Sequence, residues 1–218
     1  MAMFAKYWQS GKVKTRLARS IGEDAARDVH FLFVRTLLQK FSSFGNCRTL
    51  VGSPAEKRSE FESILPESWA LQFQSDGDLG QRMSHFFLDN EKDGQLNILI
   101  GSDTPDVPQS CMERCVELLQ DKQLVIGPSR DGGYYLVAMQ QHLPQVFEDV
   151  PWSSTDVLAR TLEIAKQNSI TVGLLPEMND VDELEDLQQL MANLLADKTD
   201  PFAAKLATAL TEMELKIG

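Results

Sequence analysis

The hydrophobic pattern of this chain keeps changing period. Short apolar runs alternate with longer stretches whose apolar residues recur at three- and four-residue steps. The runs predict strands over 2–5, 48–52, 70–74, 96–101, 123–127, 134–139 and 170–175. The longer stretches predict helices over 14–22 and 23–41, after Ser53-Pro54, up to about residue 89, over 108–121 and over 154–167, and opening at Asp182 and Asp200. Ala26, Val29, Phe33, Leu37 and Phe41 form one apolar stripe, and Phe202, Leu206, Leu210 and Met213 another. Asp200-Pro201 supplies an N-cap followed by proline at the first helical position. Asp182 with Glu185 three residues on resembles a capping box. Strands separated by helices of this length require crossovers, hence βαβ units and a mainly parallel sheet. The expectation is one α/β domain over residues 1–218, three layers deep (α/β/α), with a C-terminal helix at about 200–215 packed on it. Ligands of such sheets sit outside the carboxyl ends of the strands. That directs attention to loops 6–16, 75–82, 101–107, 128–133 and 176–182.

Charge narrows the partners. The formal net charge is −11, the wrong sign for a nucleic-acid footprint. No apolar run approaches the length of a membrane span. The N-terminus lacks the order of a secretory signal. Cys47, Cys111 and Cys115 have no neighbouring His or Cys to complete a zinc pattern. They read as free thiols in a reducing cytoplasm. Within this acidic chain the first 22 residues carry Lys6, Lys12, Lys14, Arg16 and Arg19 and no acid. A basic island on an acidic protein suggests a local anion site.

Five stretches bear on chemistry. Gly11-Lys-Val-Lys-Thr-Arg-Leu17 resembles a phosphate loop, but Val13 before Lys14 breaks the Walker pattern. A glycine-containing loop entering a helix still offers N–H groups to an anion. Lys14 as a point charge and Arg16 as a fork suit a di- or triphosphate, with Gly11 and Lys6 beside them. The competing reading is a solvated basic face. In Leu96–Pro108 a strand ends in Gly101-Ser102-Asp103. A carboxylate there suits Mg²⁺ (or Mn²⁺), which takes one or two protein carboxylates plus substrate phosphates. Ser102 would lie near the nucleotide. The same residues also favour a plain turn. Asp131-Gly132-Gly133 permits positive φ and close approach to a ligand, or an ordinary turn between strands. Asp182 is either an N-cap or a second metal ligand facing Asp103. Asp76-Gly-Asp-Leu-Gly-Gln-Arg82 is turn-forming, and Arg82 either reaches a phosphate or is solvated. His30, His85 and His142 stand apart from these stretches.

Taken in order, Lys-Thr-Arg-Leu, Asp-Leu-Gly-x-Arg-Met, Gly-Ser-Asp-Thr-Pro, Gly-Pro-x-x-Asp-Gly-Gly-Tyr-Tyr-Leu, Val-Pro-Trp-Ser-Ser-Thr and Asp-Val-Asp resemble a bacterial family. Its members are labelled glycosyltransferase-like or nucleotide-diphospho-sugar transferase. The resemblance spans residues 4 to about 190. It implies the GT-A-like nucleotide-binding fold, shared with molybdenum-cofactor guanylyltransferase and phospholactate guanylyltransferase. It also implies a triphosphate held by Gly11, Lys14 and Arg16, and a metal held by Asp103 and Asp182. Two positions depart from the family pattern: Tyr7-Trp8 where a proline is common, and Glu183-Leu184 where Thr-Pro is common.

The expected activity is therefore metal-dependent nucleotidyl transfer between a nucleoside triphosphate and a phosphorylated small-molecule acceptor. Transfer of a sugar from a nucleotide-sugar donor is the alternative, and a non-catalytic nucleotide-binding module a further one. The fold alone does not choose among them.

Overall fold

A computed structural model describes residues 1–197 and 199–213. Seven strands form one sheet: β1 (Ala2–Lys6), β2 (Thr49–Ser53), β3 (Ala70–Phe73), β4 (Asn97–Ile100), β5 (Leu124–Pro128), β6 (Tyr134–Met139) and β7 (Val172–Leu174). Their order is β3-β2-β1-β4-β6-β5-β7. All neighbours are parallel except β6, which runs antiparallel to both β4 and β5. The one inverted strand has a local cause. Ser129–Gly133 is a tight reversal between β5 and β6, with Ser129 N–H donating to the Gly133 carbonyl. A connection this short can join only antiparallel strands.

The helices are α1 (Ala18–Ile21), α2 (Glu23–Lys40), α3 (Arg58–Glu62), α4 (Leu79–Asp89), α5 (Gln109–Leu118), α6 (Val157–Gln167), α7 (Leu184–Ala196) and α8 (Pro201–Glu212). Strand β1 shows why the architecture has three layers. Its residues alternate between two cores: Met3 and Ala5 join one with Leu37, Met112 and Cys115, while Ala2 and Phe4 join the other with Phe86, Phe87 and Ala165. A strand buried on both faces needs helices on both sides. A third apolar cluster joins Phe33 of α2 to Leu187, Leu190 and Leu194 of α7 and to Leu206 and Leu210 of α8. There the buried Lys40 Nζ meets Asp200 at 2.6 Å. Asp200 also accepts from Phe202 N–H as the expected N-cap.

Three expectations about local structure are corrected. The helix predicted from Lys14 begins only at Ala18, after turns over residues 10–17. Lys14 itself adopts φ +47°, which a helix does not permit. The helix predicted to open at Asp182 opens at Leu184, capped by Glu183 and Asp186 in place of Asp182 and Glu185. The physical reason is that Asp186 takes the N–H groups of both Asp182 and Glu183, which sets the first helical turn from Leu184. The C-terminal helix ends at Glu212, and residues 214–215 of the predicted range lie outside the described residues.

Candidate functional site

The carboxyl ends of β1 and β4 bring the basic loop and the first aspartate together. After β1 the chain turns through Gly11, whose φ is +72°. A Cβ there would lie 2.9 Å from the movable Glu23 carboxylate, so it is the positive φ, more than the contact, that favours glycine. The turn delivers Lys14 inward. Its side chain is 3% exposed, and its Nζ lies 5.9 Å from the centroid of the Phe33 ring. From there Nζ reaches Asp103 Oδ1 at 2.5 Å and Asp182 Oδ1 at 3.5 Å. Arg16, more exposed, spans Asp182 Oδ2 at 3.7 Å and Glu183 Oε1 at 2.5 Å. Among the predicted site residues, Lys14, Arg16, Asp103 and Asp182 thus converge.

Backbone contacts hold the two carboxylate loops in register. Val181 N–H donates to the Asp103 carbonyl at 3.0 Å, and the Thr104 hydroxyl donates to Asp180. Asp186 accepts N–H groups from both Asp182 and Glu183 at 3.0 and 2.9 Å, and its other oxygen takes the Asn179 amide. That clamp fixes the backbone of Asp182 and leaves its side chain for the cations. Burial alone would raise the Asp103 carboxyl, but the Lys14 ammonium beside it holds it below the usual range.

Two residues outside the predicted set belong to this neighbourhood. His30 is buried on α2, with Nε2 3.0 Å from the Lys6 carbonyl. A carbonyl only accepts, so Nε2 carries the proton and Nδ1 presents a lone pair. Among the described residues Nδ1 has no hydrogen-bond partner, and it faces Asp103 Oδ1 at 3.9 Å. Burial lowers the imidazole's pKa, favouring this neutral form. Asp180 is the second. Desolvation, together with the charges of Asp103 and Asp131, raises its carboxyl to about 6, against the hydrogen bond from Thr104. His30 lies on an apolar helix face, where a histidine gives no signal of its own. Asp180 was visible only as the first acid of Asp-Val-Asp.

The remaining predicted residues have other partners. Lys6, at the exposed end of β1, contributes its carbonyl to His30. Ser102 is buried behind Asp103. Arg82 donates from Nε to the Gly77 carbonyl at 2.8 Å and reaches Gln74 at 3.4 Å, bracing its own loop. Asp131 accepts from Gly133 N–H at 2.9 Å. Gly132 has φ +89°, and a Cβ there would lie 2.0 Å from the Thr155 carbonyl oxygen. That close approach explains the glycine by packing between backbones. Gly80 is similar: a Cβ would meet the Trp152 indole at 2.2 Å.

Among the described residues no three His, Cys, Asp or Glu side chains form a metal-binding group. Two carboxylates turned toward one ammonium nevertheless fit a hard cation that completes its shell with substrate oxygens. No helix among the described residues is long and apolar enough to cross a membrane.

The comparisons give the family and the fold. Residues 37–154 match the family described as uncharacterized proteins conserved in bacteria, DUF2064. A crystal structure of a candidate nucleotide-diphospho-sugar transferase from Desulfovibrio desulfuricans G20 is 31% identical. The match covers 97% of this chain and 94% of that one, with a TM-score of 0.86. More distant structures share the fold. CMP:2-keto-3-deoxy-manno-octonic acid synthetase, complexed with CTP, is 14% identical over 88% of this chain and 97% of that one, with a TM-score of 0.53. Rv0371c of Mycobacterium tuberculosis H37Rv, in complex with manganese, is 12% identical over 86% and 95%, with a TM-score of 0.50. No curated protein matches the chain. The chain belongs to the bacterial DUF2064 family and has the GT-A-like fold of nucleotide-diphospho-sugar transferases.

Proposed function

We propose that the protein is a metal-dependent nucleotidyltransferase, joining a nucleotide to a phosphorylated small-molecule acceptor with release of pyrophosphate. The observation that carries this reading is the convergence of Lys14 and Arg16 with Asp103 and Asp182 at the carboxyl edge of the sheet. Phosphoryl chemistry of this type is mostly positioning and charge neutralisation. Lys14 and Arg16 neutralise the triphosphate and the charge developing on the departing pyrophosphate. Asp103 and Asp182 hold Mg²⁺ or Mn²⁺, which supplies Lewis-acid polarisation of the phosphates when bound. Gly11 lets the loop approach the phosphates closely, with Lys6 and Ser102 at its margin. Gly132, Gly133, Asp131 and Arg82 are held by their own loops and are assigned no phosphate contact. The proposed location is the cytoplasm, whose reducing conditions suit the three free cysteines.

A second reading, glycosyl transfer from a nucleotide-sugar, is favoured by the description of the Desulfovibrio relative. It uses the same carboxylates but does not require two cations for a triphosphate. Thermal-shift measurements with each nucleoside triphosphate and each nucleotide-sugar, with and without Mg²⁺, separate the two. Mg²⁺-dependent stabilisation by a triphosphate and not by its sugar conjugate is expected. Stabilisation by nucleotide-sugars alone would overturn the first reading in favour of the second.

A further inference from the structure

We propose that Lys14 is an internal competitor for the divalent cation. In the free protein it holds Asp103 and Asp182 itself, and those carboxylates hold a metal well only when phosphate draws it off. The inference rests on the functional reading above and adds a coupling between the two ligands to it.

The ion pairs show why. The two cations proposed for phosphate and the two carboxylates proposed for metal are satisfied by one another: Lys14 with Asp103 and Asp182, Arg16 with Asp182 and Glu183. The Lys14 ammonium is almost wholly removed from solvent, while Asp103, Asp182 and Arg16 are partly exposed and open to incoming ligands. A divalent ion arriving alone would have to displace a buried ammonium whose ion pairs, among the described residues, are those with Asp103 and Asp182. Triphosphate arriving alone would strip Lys14 and Arg16 from their partners and leave two carboxylates uncompensated beside its own charge. Arriving together, they exchange partners: the carboxylates pass to the metal and the basic side chains to the phosphates, and no buried charge is left unpaired. By linkage, each ligand then raises the affinity of the other by the same factor.

The probes are Mn²⁺, followed by its paramagnetic resonance signal, and inorganic tripolyphosphate, which carries no base to choose. For the wild-type protein, bound Mn²⁺ is measured at fixed free Mn²⁺ with and without tripolyphosphate. An increase in affinity of roughly five- to 150-fold is expected. Lys14→Met keeps the length of the side chain and removes its charge. Its affinity for Mn²⁺ alone should exceed that of wild type by about tenfold, a change of about 1.4 kcal/mol, while the response to tripolyphosphate collapses. Unchanged or weaker Mn²⁺ binding by the folded variant would overturn the proposal. So would a wild-type Mn²⁺ affinity indifferent to tripolyphosphate, and that comparison decides alone if the Met variant does not fold. Absence of turnover with every nucleoside triphosphate would sink the proposed reaction and leave these binding results standing.

Discussion

Two loop clusters beside the sheet make a contrast. In the first, Lys14, Arg16, Asp103 and Asp182 come together through charge, and their side chains point at one another. In the second, Asp78, Arg82, Gly80, Gly132 and Trp152 come together through backbone. Asp78 and Gln81 cap α4 reciprocally, Arg82 holds the Gly77 carbonyl, and glycines admit Trp152 and the Thr155 carbonyl. Both clusters are built from stretches that look equally functional in the sequence. The difference teaches that a motif glycine or arginine can be required by a close contact alone. A buried ammonium between two carboxylates has no such packing explanation.

The largest effect expected is in the first cluster. Lys14→Met and Asp103→Asn should each reduce kcat/KM by about a thousandfold, on the order of 4 kcal/mol of transition-state stabilisation. Far-ultraviolet circular dichroism should remain unchanged. Gly132→Ala should reverse that pattern. A Cβ 2.0 Å from a backbone oxygen, at φ +89°, forces the chain apart. A loss of about 2–4 kcal/mol in urea unfolding is expected, with turnover retained by the fraction that folds. Arg82→Ala should cost about 1 kcal/mol of stability through its lost carbonyl contact and change turnover less than tenfold. A thousandfold loss there would erase the contrast and move Arg82 into the phosphate site. Glu183→Thr, which restores the residue common in the family, should be mildest. It frees Arg16 from a partly exposed partner and should tighten triphosphate binding about twofold to fivefold by isothermal titration.

The architecture was legible because it follows from hydrophobic period. Every predicted strand is present, and the α2 stripe from Ala26 to Phe41 is buried throughout. The inverted strand β6 was not assigned a direction, since a strand's orientation depends on the length of its connection and not on its own residues. The start of α7 was misjudged: Asp182 is a good N-cap by type, yet Asp186 takes the N–H groups of both Asp182 and Glu183, and the cap falls on Glu183. The meeting of Lys14 with Asp103 joins loops far apart in the chain, and no local pattern encodes it. It was expected only through the order of motifs and the topology of parallel sheets. His30 was missed because its role depends on what faces it. A helix stripe records burial but not that one ring nitrogen lacks a partner.

The most direct test of the account is a crystal structure with Mn²⁺ and a nucleoside triphosphate, read by the anomalous signal of manganese. A manganese peak bonded to both Asp103 and Asp182, with Lys14 moved onto the phosphates, is the predicted result. A peak elsewhere, or Lys14 still paired to Asp103 with nucleotide bound, would contradict it.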